Sequence, residues 1–338
     1  MMRNEYIIPL EEYKDKEVEL MASVSYEERA VISIQRAIQK LKIKSCVLLA
    51  STAIFESKEE RDIFGKEIEF TENKWRENYH TILKLLKDSN IKFVEIKCSF
   101  YQPLEVVKKI DEVISGEREI LFDISCVPKH VILSILKWTK RKPFSFLYTR
   151  PKEYKSGKAE ISVGVKEIGV LQGFEGEIKV GTEDYLVLVL GFEGGRALTI
   201  FRHFEPYKAI ALIGDPDPIY RGSKRKFFLE RARERNASLL NMQRVIEKTI
   251  PSLDPYGFYQ KLAELLQPYK SGNIIIAPIG TKIQTLGLFL YHKKHPEAQI
   301  IYSIPLVRKV SSEGAEDTSI YLINEFKNEK VTNSVFRS

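Results

Sequence analysis

Cysteine is scarce in this chain of 338 residues: Cys46, Cys98 and Cys126 are the only three. They are odd in number and far apart, so they form neither a disulfide framework nor a zinc-binding spacing. A reduced, cytoplasmic setting is therefore expected. No run of about 18 or more apolar residues occurs, so no membrane span is expected. The opening MMRNEYIIPLEEYKDKE turns charged too early for a signal peptide. A GxxxxGK(S/T) loop is absent, which argues against a P-loop NTPase. Lack of GxGxxG after either candidate first strand argues against a conventional dinucleotide dehydrogenase. Neither HExxH nor GxSxG occurs. The five histidines, His80, His130, His203, His292 and His295, have no metal spacing. His292 and His295 lie close together but lack an acidic or cysteine companion, and read as surface residues. No metal and no cofactor is expected.

Basic charge is in excess. The net charge is +7 and the isoelectric point about 9.0. That balance favours anionic partners, although lysine-rich solvated faces produce the same total. The densest basic stretch is YRGSKRKFFLERARER, residues 220–235, with Lys224, Arg225, Lys226, Arg231, Arg233 and Arg235. It reads either as a solvated face or as a contact for nucleic acid or an acidic protein.

Buried-strand patterns alternate with helical periodicity along both halves. In the first half, strands are expected at 16–25, 44–52, 91–99, 119–125 and 144–149, and helices at 26–41, 70–89, 102–116 and 129–141. In the second half, strands are expected at 184–193, 208–216, 273–280 and 298–305, with a further strand near 242–250. Helices are expected at 195–204, 223–241, 255–268 and 281–295. Such alternation predicts parallel, doubly wound α/β sheets.

The halves also echo one another. SYEERAVISI (25–34) reappears with one inserted glycine as GFEGGRALTI (191–200). ILFDISCVPKHVILSILKW and NIIIAPIGTKIQTLGLFLY share the order strand, turn, lysine, apolar helix, with Lys129 opposite Lys282. FLYTRP and IIYSIP close the two halves. The expectation is two tandem Rossmann-like sheets related by internal duplication. Unit one is placed at 1–155, a β-hairpin linker at 156–183, unit two at 184–306, and a tail packing on unit two at 307–338.

In open parallel sheets, ligands bind beyond the carboxyl ends of the strands. Ser25, Glu27, Glu28 and Arg29 follow the first strand of unit one; Gly191, Glu193, Gly194, Gly195 and Arg196 do so in unit two. The turns before Lys129 and Lys282 follow later strands and open helices. A helix N-terminus with free amides and a nearby cation attracts phosphate. Gly280 frees the second turn, and the Thr281 hydroxyl is expected to donate to an oxyanion there. Each feature has a plainer reading: a Glu–Arg pair also serves as a cap and surface ion pair, and a first-turn lysine is often solvated. Asp123 and Ser125 distinguish unit one, because unit two has Ile276 and Pro278 there. Asp123 is either a catalytic or ligand-reading carboxylate, or a buried cap. Asp215, before Pro216, reads as turn chemistry.

The strand–turn–lysine–helix phrases, NIIIAPIGTKIQTLGLFL above all and ILFDISCVPKHVILSIL more loosely, resemble CARF domains, the CRISPR-associated Rossmann-fold sensors. The loops Ser25–Arg29 and Gly191–Arg196 stand where the second motif of that family is found. VPK and the Glu–Arg phrases depart from the family pattern. The resemblance implies a phosphate-bearing ligand, such as a cyclic oligonucleotide, in a cleft between the units. Its binding set would comprise Ser25, Glu28, Arg29, Ser125, Lys129, Gly191, Gly194, Gly195, Arg196, Gly280, Thr281, Lys282 and Gln284. The chain would then be a sensor or regulatory subunit of a prokaryotic antiviral or stress system, acting on a separate effector protein. Two alternatives stand beside it. One is an enzyme cleaving a phosphodiester or glycosidic bond of a nucleotide or nucleoside through Asp123, Glu27 or Glu193. The other is a basic scaffold contacting nucleic acid or a protein.

Overall fold

Short runs of aliphatic and β-branched residues become strands, and the amphipathic stretches between them become helices. The computed structural model describes residues 6–51, 58–114, 117–143, 145–154, 162–310 and 312–326. In chain order the elements begin with β1 (Ile7–Pro9), β2 (Glu17–Ser23), α1 (Arg29–Lys40), β3 (Lys42–Ser51), α2 (Lys58–Asp88) and β4 (Lys92–Cys98). Then come α3 (Pro103–Val113), β5 (Glu119–Asp123), α4 (Lys129–Trp138), β6 (Ser145–Tyr154), β7 (Ser162–Val163), β8 (Glu167–Val170), β9 (Asp184–Leu190) and α5 (Gly194–Phe204). They continue with β10 (Lys208–Asp215), α6 (Gly222–Arg235), α7 (Ala237–Leu240), β11 (Val245–Pro251), α8 (Pro255–Leu266), β12 (Asn273–Pro278), α9 (Lys282–Lys294), β13 (Gln299–Ile304), β14 (Val307–Arg308) and β15 (Ser312–Leu322).

These elements form two units. The first comprises Met1–Gly157 with Val310–Ser338, and the second Lys158–Lys309. In the first, the sheet order is β1-β15-β6-β5-β2-β3-β4. The five strands from β6 to β4 run parallel, while β15 lies antiparallel on β6 and β1 antiparallel on β15. In the second, the order is β11-β10-β9-β12-β13-β8. Its first five strands are parallel and β8 is antiparallel on β13. Numbered along the chain, each parallel set has the order 3-2-1-4-5 of a doubly wound Rossmann-like sheet. The α/β architecture with two such sheets is as the sequence predicts.

Helices on both faces account for the near-continuous apolar strands. On one face of the first sheet, Leu20, Leu48, Leu121 and Leu147 pack with Ala30, Ile34 and Ala37 of α1 and Ile82 and Leu86 of α2. Val106, Val107 and Ile110 of α3 and Val131, Ile132 and Ile135 of α4 are buried as well. In the second unit, Leu186, Leu188, Ala211 and Ile213 pack with Ala197 and Ile200 of α5, Ala232 of α6 and Leu239 of α7. Helix α9 is buried from Ile283 through His292. Among the described residues, no helix is long and apolar enough to cross a membrane.

Several expectations need correction. Helix α2 starts at Lys58, well before residue 70; its first turns are too charged to show an apolar stripe. The segment read as a linker hairpin does not fold on itself. β7 pairs with β14 in a separate two-stranded sheet, and β8 pairs with the edge strand β13. The tail expected on the second unit instead supplies β15 to the first, beside β6. His292 is not a surface residue: it is 3% exposed, on the helix whose every side is covered.

Together these corrections describe a reciprocal exchange. The chain that leaves β6 supplies the antiparallel edge strand beside β13, and the chain that leaves β13 supplies the one beside β6. In the second unit Arg308 of β14 faces Ser162 of β7 in a separate two-stranded sheet, and in the first Tyr154 of β6 faces Ser312 of β15.

Candidate functional site

A topological switch point, where successive crossovers leave in opposite directions, is where doubly wound sheets bind ligands. In the first unit it lies between β2 and β5, which pair through Met21 and Phe122. The Ser25–Arg29 loop follows β2, and the turn into α4 follows β5. In the second unit it lies between β9 and β12, paired as far as Val189 and Pro278. The Gly191–Arg196 loop and the Gly280–Lys282 turn follow those strands. Lys129 is the first residue of α4 and Lys282 the first of α9, so both sequence motifs of each unit meet at its switch point.

The loops are built by one scheme used twice. In the first unit, Asn78 Nδ2 on α2 donates to the Ser25 carbonyl at 2.8 Å. In the second, Asn236 Nδ2 donates to the Gly191 carbonyl at 2.8 Å. Ser312 Oγ donates to Glu27 Oε2 at 2.5 Å, and Ser162 Oγ donates to Glu193 Oε1 at 2.5 Å. Each serine begins a Ser-x-Gly segment whose glycine has positive φ, 60° at both Gly314 and Gly164. That conformation is strained for residues with a Cβ. Arg29 is buried at 7% exposure, donating from Nε to Ser312 Oγ at 3.2 Å and from Nη1 to the Thr149 carbonyl at 3.1 Å. Arg196, equally buried, donates to Glu193 Oε1 at 3.3 Å and lies 5.8 Å from the Tyr302 ring centre.

Asn78, Asn236, Ser162 and Ser312 were missed by sequence reasoning. RENYHTIL (76–83) against RERNASLL (233–240), and SVG (162–164) against SEG (312–314), carried the signal. Both phrases are too short to stand out without knowing which strands pair.

Ser25 Oγ accepts from the Glu27 amide at 3.2 Å, a local turn bond. Glu28 Oε2 accepts from the Gly314 amide at 3.3 Å. Gly194 permits close approach: a Cβ there would lie 1.8 Å from the Arg235 carbonyl oxygen. Gly195 lies in the first turn of α5.

The Thr281 hydroxyl does not point to an oxyanion, contrary to the sequence expectation. It donates to the Ser252 carbonyl at 2.6 Å and accepts from the Gln284 amide at 3.1 Å. Gln284 completes a capping box: its Oε1 accepts from the Thr281 amide at 2.8 Å, and its Nε2 donates to the Pro251 carbonyl at 3.2 Å. A single hydroxyl proton cannot serve both the cap and a ligand. By contrast, α4 begins behind Pro128 with no side-chain cap.

Asp123 has the geometry of a cap. It is 4% exposed and its Oδ1 accepts from the Ser125 amide at 2.9 Å. Ser125 Oγ accepts from the Thr149 amide at 2.8 Å, and Thr149 Oγ1 donates to Ser33 Oγ at 3.0 Å and contacts Thr318 Oγ1 at 2.8 Å. Burial pushes the Asp123 carboxyl above its usual range, against the opposing bonds from Ser125 and Ser33 and the charge of Arg29. A carboxyl with a raised folded-state pKa favours folding while protonated, and that contribution is lost as pH rises through the folded pKa. Asp123→Asn keeps the acceptor and removes the charge. Its melting temperature is expected to match the parent near about pH 4 and to exceed it as pH rises through the folded-state pKa. A pH-independent difference in thermal melts would refute the buried-charge account.

Asp215 is more than a turn residue. Arg225 clamps it from Nε at 2.8 Å and from Nη2 at 2.5 Å. Burial opposes its ionisation, but the Arg225 bonds outweigh that and hold its pKa below the usual value. Thr52, beside its first-unit counterpart Ser51, lies outside the described residues. Among the described residues, no cluster of three or more His, Cys, Asp or Glu side chains could hold a metal ion.

No family model and no curated protein matches this chain. Among solved structures, it is similar to a type III CRISPR defence DNA nuclease activated by cyclic oligoadenylate. That match has 9% identity and a TM-score of 0.47, covering 89% of this chain and 67% of the other. It is also similar to the cytoplasmic domain of a prokaryotic cation chloride cotransporter, with 10% identity and a TM-score of 0.26 over 86% of this chain and 96% of the other. A third is the rRNA methyltransferase aviRa from Streptomyces viridochromogenes, with 10% identity and a TM-score of 0.21 over 46% of this chain and 72% of the other. The Rossmann-like architecture is read from the strand order and does not rest on these likenesses.

Proposed function

We propose that the chain is a nucleotide-binding sensor or regulatory subunit whose two switch points each receive phosphate of a nucleotide ligand. One observation carries this reading: in both sheets, the two motif-bearing turns meet at the site where doubly wound folds bind ligands, each with a lysine opening a helix. The recurrence of the asparagine, serine, glutamate and arginine scheme supports an internal duplication. The sequence resemblance to CARF domains supports a cyclic oligonucleotide as the ligand and a separate effector protein as the recipient of the signal, in antiviral defence. Within this reading Lys129 and Lys282 contact phosphate. Thr281 and Gln284 hold the second turn, and Asp123 holds Ser125; these three are positioning residues.

Isothermal titration with linear and cyclic oligonucleotides tests the proposal. A charge-assisted bond contributes about 1.5–3 kcal/mol, so Lys129→Ala and Lys282→Ala are each expected to weaken binding roughly tenfold or more. The ligand should be recovered unchanged by mass spectrometry. Full affinity in the double variant would overturn the site, and conversion of the ligand would overturn the sensor reading in favour of an enzyme.

A further inference from the structure

Helix α6 has no apolar stripe, yet with the loops beside it, it gathers a set of rings interleaved with cations. Phe192, in the loop after β9, stacks on Phe228 at 6.2 Å between ring centres and 16° between planes. Phe228 stacks in turn on Tyr220 at 5.1 Å and 10°. Both ends of this three-ring stack are covered by positive charge. Lys224 Nζ lies 4.2 Å from the Tyr220 ring centre, and the Arg231 guanidinium lies 5.2 Å from that of Phe192. Phe227 stands edge-on to Phe228 at 5.8 Å and is 53% exposed. Arg221, Lys224 and Lys226 are exposed beside these rings.

We infer that this strip, Tyr220 to Arg231, is a docking surface for a single-stranded oligonucleotide, bordering the second switch point through Phe192. Charge complementarity selects an anionic occupant, and the rings select among anions. Unpaired bases present π-faces that stack on aromatic side chains, while cations along the same track meet the phosphates. The exposed Lys224 ammonium covers the outer face of Tyr220, where an arriving base would replace it and release it to a phosphate. Phe227 offers a second ring at the same edge. An acidic peptide would use the cations but not the rings, and a duplex keeps its bases paired and its faces hidden.

Fluorescence anisotropy with the full chain and labelled single-stranded DNA and RNA of mixed sequence tests this inference. Single strands are expected to bind more tightly than the matching duplex. The logarithm of affinity should fall with the logarithm of salt, with a slope of about −2 for three phosphate contacts. Phe227→Ala and Tyr220→Ala are each expected to weaken binding roughly tenfold while leaving the slope unchanged. Lys224→Ala with Lys226→Ala should instead flatten the slope. Phe227 is exposed, so its variant tests the surface even if Tyr220→Ala disturbs the fold, which circular dichroism would reveal. A roughly tenfold loss in Lys282→Ala with none in Phe227→Ala would assign the single-strand binding to the switch point and overturn this inference, whereas the reverse pattern supports it whatever the fate of the switch-point proposal. Equal affinity for duplex, no response to Phe227→Ala, full competition by polyglutamate, or no binding at low salt would each overturn it.

Discussion

Deleting the chain from Val310 onward is expected to unfold the first unit while the second keeps its cooperative transition. The deleted segment carries Ile320, Tyr321, Ile323 and Phe326, all at most 1% exposed. Burying one such side chain stabilises by about 1.5–3 kcal/mol, so the four together contribute roughly 6–12 kcal/mol. That matches the whole stability of an ordinary domain, about 5–15 kcal/mol. The loss is not only apolar. Among the described residues, β15 is the sole strand partner of β1, and it covers the edge of β6. Arg36 donates to the Glu316 and Ala315 carbonyls and to Thr318, and Arg150 pairs with Asp317 at 3.0 Å. Hydrogen exchange followed by mass spectrometry reads the outcome segment by segment. Protection should vanish from β2, β5 and β6 and persist in β9, β10 and β12. If protection is lost instead from the second sheet, the edge assignment is wrong.

Arg29→Ala is expected to destabilise the first unit by about 3–5 kcal/mol, the usual effect of removing one member of a buried charged network. The guanidinium bonds the Thr149 carbonyl and Ser312 Oγ, and that same serine holds Glu27. Its removal leaves a buried carboxylate without its compensating charge. Arg29→Lys should rescue little, because one ammonium cannot reproduce two donors fixed in a planar fork. Urea denaturation should show a lower midpoint with an unchanged slope. A loss below about 1 kcal/mol would place Arg29 among exposed, screened ion pairs, the plainer reading of the Glu–Arg phrase.

Much of this was legible in the chain itself. Strands such as CVLLA and NIIIA show their identity in a handful of neighbouring residues, because a strand buried on both faces needs nothing but apolar side chains. Pro103 marks a helix start locally, through its missing donor. The echo of SYEERAVISI in GFEGGRALTI located both switch-point loops before any pairing was known. What the loops do with their polar atoms was not legible. Thr281 looked like a ligand donor because its partner, the Ser252 carbonyl, comes from the end of a different strand. Asp123 left two readings open until its burial and its bond to the Ser125 amide were placed.

The sequence by itself determined the two α/β units, the alternation of their elements and the residues that gather at each switch point. Periodicity, caps and turns act within a few residues and are written locally. Only the tertiary structure decided that β8 lies beside β13 and β15 beside β6. An edge strand of alternating character fits any free sheet edge, since backbone hydrogen bonding carries no address. The choice was made by groups far apart in the chain: Ser312 meeting Glu27 and Arg29, and Ser162 meeting Glu193.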